Sequence, residues 1–227
     1  MAIAVSATVS GSKGGKEFSV SSTEESWSEV TDSLGSASLG QVMPGASINY
    51  LCMTVASGLG IWRIINRDTL QLVRQGGCST AGTVDFSQCK IASVTIQPAW
   101  ILQVYSRAPD ATGSETNALA FITMSKGEQA FGAQNVADGA DTELTSLING
   151  DGIGTYYGQT FKGVSVMLEP SATLNDLTMV DPNGGTILTV KGTVRDAGHY
   201  YYNLQAGGFS IPVLKGTVLN INCESND

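Results

Sequence analysis

The side chains able to do covalent or acid–base chemistry are few in this sequence and poorly spaced for it. There is one histidine, His199, set in Gly198-His199-Tyr200-Tyr201-Tyr202-Asn203, which reads as the entry to an aromatic strand. A general base needs a nucleophile and an orienting group beside it, so a lone histidine there reads as a packed or surface residue. Ser36 and Ser38 lie in a Gly/Ser run, and no Gly-x-Ser-x-Gly elbow occurs anywhere in the chain. Gly58-Leu59-Gly60 and Gly150-Asp151-Gly152-Ile153-Gly154 complete neither a dinucleotide fingerprint nor a lysine-bearing P-loop, and read as turn glycines. Asp138, Asp141, Asn149 and Asp151 lack the alternating ligands and terminal glutamate of an EF-hand, which leaves only an irregular calcium loop open. A hydrolase would have to gather acids such as Asp176, Asp181 and Asp196, because carboxylate pairs meet only in the fold. No residue is therefore assigned a catalytic, cofactor-binding or metal-binding role, and the expectation is a protein that is not an enzyme and carries no cofactor.

The four cysteines, Cys52, Cys78, Cys89 and Cys223, form no C-x-x-C pair and have no histidine near them, so zinc is disfavoured. Cys78 and Cys89 flank a Gly- and Thr-rich stretch in which a disulfide would be geometrically allowed. Reduced, partly buried thiols are the preferred reading for a chain made in a reducing compartment. Trp62, Trp100 and the Tyr200-Tyr201-Tyr202 run raise the idea of a sugar-stacking platform, with Tyr200 and Tyr202 on one strand face. Trp62 and Trp100 stand inside apolar runs, however, where large rings ordinarily supply core burial, and outward tyrosines often serve subunit contacts.

The elements that must position these residues are strands. Short apolar or alternating runs bounded by Gly, Pro, Asn or Asp recur along the 227 residues: 47–56, 61–65, 69–74, 91–97, 101–105, 118–124, 164–168, 186–190, 200–204 and 215–221. Asp181-Pro182-Asn183-Gly184-Gly185 supplies a fixed φ at proline and cheap positive φ at asparagine and glycine, so it predicts a hairpin. Ala206-Gly207-Gly208 and Asn66-Arg67-Asp68 predict two more. With no long helix to carry parallel crossovers, the pattern predicts an all-β protein, an antiparallel β-sandwich or jelly-roll-like fold with one or two short helices. One helix is expected over 141–149, where Leu144, Leu147 and Ile148 share a face and Gly150 follows. Residues 22–34 read either as a helix opened by a Ser22/Glu25 capping box or as an extended arm rich in Ser, Thr and Asp. The Gly/Ser-rich run from Gly35 to Gly45 with Pro44 marks an expected boundary between an N-terminal segment, 1–45, and a main β-sandwich domain, 46–227. That segment is expected either to cross to a neighbour and add a strand there, or to pair Ala2 to Val9 within its own domain.

Charge narrows the partners. Lys and Arg number 12 against 20 Asp and Glu, a net of −8, with no basic cluster beyond Lys13 and Lys16 beside Glu17, so nucleic acid is disfavoured. Nothing at the start resembles a signal peptide, no apolar run is long enough to span a bilayer, and no Asn-x-Ser/Thr sequon occurs. A chain made and used without export, or trimmed beforehand, and without a membrane partner is expected. Only 14% of residues are charged while 27 are glycine. Neutral surface rich in Ser, Thr, Asn and Gly tends to be contact surface, because a monomer ordinarily keeps more charge outside.

In these features the chain resembles the β-rich structural proteins of tailed bacteriophages, of the capsid cement or decoration kind. The features are a start at Met1 without an export signal, low charge with abundant Gly, Ser, Thr and Ala, and the absence of catalytic residues. Strands punctuated by glycine, as in Gly207-Gly208-Phe209-Ser210-Ile211-Pro212-Val213-Leu214-Lys215-Gly216, belong to the same style. The resemblance implies a homo-oligomer, often a trimer in that class, made in the host cytoplasm and located in the virion. There it would lock together neighbouring subunits of a major capsid or other virion protein. Two other functions remain open: a carbohydrate- or receptor-binding β-domain, such as a tail or surface adhesin, and a hydrolase without a familiar motif.

Overall fold

In the computed structural model, which describes residues 2–80, 89–109, 115–169, 172–191, 194–196, 199–203 and 210–225, 65% of the chain is strand and under 5% helix. The all-β class is thus as expected. Compactness divides the chain at Met1–Ala108 and Pro109–Asp227, so the boundary does not fall near Gly45.

The first unit begins with Ala2–Gly11 (β1), whose alternation is faultless. Ile3, Val5, Ala7 and Val9 are buried while Ala2, Ala4, Ser6 and Thr8 are exposed, as a half-buried strand requires when successive side chains point to opposite faces. Gly14–Thr23 (β2) returns antiparallel with Phe18 turned inward. Next come Trp27–Asp32 (β3), the single-turn helix Leu39–Val42 (α1), Ser47–Val55 (β4), Leu59–Asn66 (β5) and Leu72–Gly77 (β6). Ser79–Thr80 (β7), Lys90–Thr95 (β8) and Trp100–Arg107 (β9) complete the unit. These strands form one nine-stranded sheet ordered β6-β5-β9-β3-β2-β1-β4-β7, with β8 also on β4. The sheet curls, so that Val5, Val9 and Phe18 from its middle share a core with Trp62, Ile64, Leu102 and Val104 from its other arm. Among the described residues of the unit the pairings are antiparallel except β4 with β7, which is parallel.

Of the two alternatives for the N-terminal segment, pairing of Ala2 to Val9 within its own unit is the one the structure shows, and the reading of residues 22–34 changes. Strand β1 is hydrogen-bonded to β2 on one side and β4 on the other, so it closes its own sheet and is no free arm. Residues 22–34 are neither helix nor arm but the end of β2, a turn with Glu25 at positive φ, and β3. The Ser22 hydroxyl does not cap a helix; it accepts from Ser106 Oγ at 2.8 Å across the sheet. The helix that does form starts three residues into the Gly/Ser run. There the Ser38 amide donates to Gln41 Oε1 at 2.9 Å, a capping-box contact.

The second unit is a sandwich. Its larger sheet comprises Glu115–Met124 (β10), Gly127–Ala137 (β11), Thr145–Ser146 (β13), Thr160–Leu168 (β14), Val194–Asp196 (β17), His199–Asn203 (β18) and Ile211–Pro212 (β19). Its smaller sheet runs in the order β12-β20-β15-β16, from Thr142–Glu143 (β12), Val218–Ser225 (β20), Ala172–Val180 (β15) and Thr186–Val190 (β16). One core joins Ile122, Phe131 and Phe161 of the first sheet to Leu177, Met179 and Ile221 of the second. The predicted hairpin at 181–185 is present: Asp181 Oδ1 accepts from the amides of Asn183 at 2.7 Å and Gly185 at 2.9 Å. So is that at 66–68, where Asn66 Oδ1 accepts from the Asp68 amide at 2.8 Å. The turn expected at 206–208 lies outside the described residues.

The helix expected over 141–149 is absent because two sheets claim its backbone. Thr142 and Glu143 pair with β20, the Leu144 amide donates to Leu219 O at 2.9 Å, and Thr145 and Ser146 pair with β11. Leu144 is buried and Ile148 faces solvent, so the shared helical face never forms. A 3-10 turn follows at Ile153–Tyr156.

Deleting residues 2–11 removes the strand that bridges β2 and β4, and is expected to abolish cooperative unfolding of the first unit. Phe18→Ala, at a site only 1% exposed, is expected to cost about 3–5 kcal/mol. Calorimetry checks both, and a truncated chain that melts like the intact one would contradict the placement of β1.

Candidate functional site

Strand alternation in the first unit leaves an outer surface almost without charge. Because Ser6 faces Ser19 and Thr54, and Thr8 faces Glu17 and Cys52, the outward positions of β2, β1 and β4 form rows of short polar and apolar side chains. Ala4, Ser21 and Thr23 extend them. Glu17 is the charged member of these rows. Ser6 Oγ and Thr54 Oγ1 hydrogen-bond at 2.8 Å across the strands. Between the rows lies a shallow depression of about 480 Å³, bounded by Glu17, Ser33 and Tyr50, with Cys52 in its lining. Burial, together with contacts to Cys89 and Cys52, pushes the Tyr50 hydroxyl up to about 12, so Tyr50 itself stays neutral across the physiological range and Glu17 is the charge on the rim.

On the other arm of the same sheet, β3, β9 and β5 bring Trp27, Tyr105, Gln103 and Arg63 to one face by register. The Arg63 guanidinium lies 3.7 Å over the Trp27 ring, and Trp27 meets Tyr105 at 5.7 Å. Arg63 Nε donates to Gln103 Oε1 at 2.9 Å. Burial lowers Arg63 to about 10, which still leaves a cation at neutral pH. Beside it Arg67 pairs with Glu29 at 2.7 Å. A flat cation held between a ring and an amide is a clasp across three strands, worth about 0.5–2 kcal/mol in such contacts. The sequence signal for it was the period-two pattern Trp27, Glu29 against Ser28, Val30.

Among the described side chains, those singled out from sequence are not brought together in one site. Asp176 accepts from Thr178 Oγ1 at 3.2 Å, and Asp181 is tied to its own turn. Five residues of extended chain separate the two by roughly 16 Å. Asp196 belongs to β17 in the other sheet. His199 pairs through its backbone with Met167 and Asp196, and Tyr200 to Tyr202 pair with β14; their side chains lie outside the described residues. Of the calcium candidates, Asn149 Nδ2 donates to Asp151 within one turn at 2.7 Å, while Asp141 accepts from Asn222 at 2.9 Å. Among the described residues no group of three or more His, Cys, Asp or Glu side chains is arranged to hold a metal ion. Trp62 is a core residue at 3% exposure, and Trp100 packs partly against that core. Among the described residues no helix is long and apolar enough to cross a membrane.

All four cysteines are buried thiols, with no disulfide among them. Burial pushes the Cys78 thiol well up, and burial with the nearby Asp138 and Glu169 charges pushes Cys223 up to about 12. Since the thiolate is the nucleophile and ligand, neither is poised for chemistry. No family model, no curated protein and no solved structure matches the chain.

The raised thiols link stability to pH. Unfolded, both ionise near about 8.5; folded, they keep their protons to higher pH. Their contribution is therefore fully present below about pH 8.5 and is lost as pH rises toward 12. Urea titrations from about pH 7 to pH 11 are expected to show falling stability above about pH 8.5, with Cys78→Ala combined with Cys223→Ala flattening part of the fall. A pH-independent difference between parent and double variant would contradict it.

Proposed function

We propose that this protein is a structural component of a virus particle, of the cement or decoration kind, which works by association through charge-poor sheet surface rather than by catalysis. The observation that carries this reading is the outer face of β1, β2 and β4. Its exposed positions Ala4, Ser6, Thr8, Ser19, Ser21 and Thr23 are short and uncharged, with Glu17 the charged residue among them. A partner meeting such a face desolvates no lysine or arginine head and freezes few rotamers, two of the main costs of association. The central depression gives that face a socket for a protruding side chain or loop of a shell subunit.

Faces rather than edges suit this role. Strand addition, the mode expected of an N-terminal arm, needs an open, regular edge. Strands β12 and β13 are two residues long, and β8 and β16 are each disturbed by a register shift. Short and bulged edges are the usual protection against uncontrolled pairing. Short or irregular edges of this kind and, in the first unit, a charge-poor face favour a protein that binds side-on and stays soluble until it meets its shell.

Introducing charge into the face tests this. Ser6→Lys and Ser21→Lys lie at exposed positions, so each is expected to change stability by no more than about 0.5 kcal/mol. Together they are expected to weaken association with itself or with its particle by about tenfold or more, since a lysine head would have to be desolvated at the contact. Folded variants that associate as tightly as the parent would remove this face from the account.

A further inference from the structure

The second unit contains a groove that the association reading does not use. Its wall on one side is the 3-10 turn Ile153–Tyr156 and the residue after it, Tyr157. The two tyrosines part company. Tyr156 packs against Phe131 at 5.7 Å and donates to Ser146 Oγ at 3.3 Å, whereas Tyr157 stands 60% exposed. The backbone around Tyr157 is pinned nonetheless: the Gly158 amide donates to Val213 O at 3.0 Å and the Val213 amide to Gln159 O at 2.8 Å. A large ring that buries little of itself is thus presented to solvent on a fixed turn.

The opposite wall is the turn entering β20, where Lys215, Gly216 and Thr217 line the groove. Thr217 Oγ1 accepts from the Leu214 amide at 3.1 Å and fixes that turn. The walls approach closely because Gly154 has no side chain: a Cβ there would stand 2.7 Å from Thr217 O and 2.9 Å from the Gly216 amide. At the end of the groove the Glu143 carboxylate fills the place a side chain on Gly152 would need. The open space between the walls is about 630 Å³, within the roughly 300–1,000 Å³ of small-molecule sites.

We propose that this groove is a binding site for a neutral sugar, with the Tyr157 ring as the stacking surface and Glu143 and Lys215 as acceptor and donor for ring hydroxyls. Charge balance selects the ligand class. Glu143 and Lys215 are the charged residues among those lining the groove and cancel, so neither an anion nor a cation is favoured, while a polyol uses both. A pyranose also presents an apolar C–H face, which an exposed aromatic ring accepts. This site is independent of the face of β1, β2 and β4; on a particle it would hold the protein against a glycan-bearing surface.

Saturation-transfer NMR on the full chain, with the methyl glycosides of glucose, galactose, mannose and N-acetylglucosamine as probes, tests it. At least one is expected to receive saturation on its ring C–H protons, with affinity little changed between low and high salt because the ligand is neutral. Tyr157→Phe keeps the stacking face and is expected to bind within about twofold of the parent, while Tyr157→Ala loses about tenfold, the equivalent of 1.4 kcal/mol. Glu143→Gln is expected to weaken binding without unfolding the chain, with circular dichroism run on each variant. Transfer to none of the four sugars, or binding that Tyr157→Ala leaves unchanged, would overturn the assignment. Self-association that persists in either case would leave the reading of the other surface standing.

Discussion

Strand β1 is the member on which the first unit depends, because it is bonded on both sides and alternates without a break. Its register against β2 and β4 decides that Ile3, Val5, Ala7 and Val9 enter the core and that Ala4, Ser6 and Thr8 leave it. A slip of one residue would exchange the two sets. The cost of such a slip pins the outer face as firmly as the inner one. Gly11 ends the strand where a side chain would run into the backbone of Ser47 and Ile48, which holds β1 tightly against the start of β4. The neutral outer surface is therefore a direct consequence of how the core is specified.

That surface differs from the clasp around Arg63 in what it offers. The clasp uses its cation internally, against Trp27 and Gln103, and so stiffens the sheet rather than advertising charge. The hydroxyl pair Ser6 and Thr54 does the same on a smaller scale. Thiols follow the pattern, since Cys78 and Cys223 are held protonated by their surroundings.

Much of the strand content was legible because alternation and turn chemistry agree locally. Residues 186–190 form β16 with the bounds expected, and the Asp181 turn precedes it as its residue types require. Strand β15 was hidden because its register shifts between Leu174 and Asp176, so Leu174, Leu177 and Met179 lose the spacing of a strand. Strand β11 was hidden by its glycines and glutamines, which carry no apolar rhythm. The false helix at 141–149 had a genuine helical spacing, but pairing with two different sheets outweighed it. No local pattern could show that Tyr157 would be exposed while Tyr156 is anchored, or that Glu143 and Lys215 would line one groove, because both depend on contacts between distant strands.

The central claim is that this chain works by associating, and the mass of the unmodified protein across a concentration series tests it most directly. The account predicts a discrete multiple of the 23.6 kDa chain, reached alone or in the presence of a partner protein and stable on dilution into the micromolar range. A particle of 23.6 kDa at every concentration up to about 1 mM, where even a contact worth only about 4 kcal/mol would register, and with no partner retained, would contradict it.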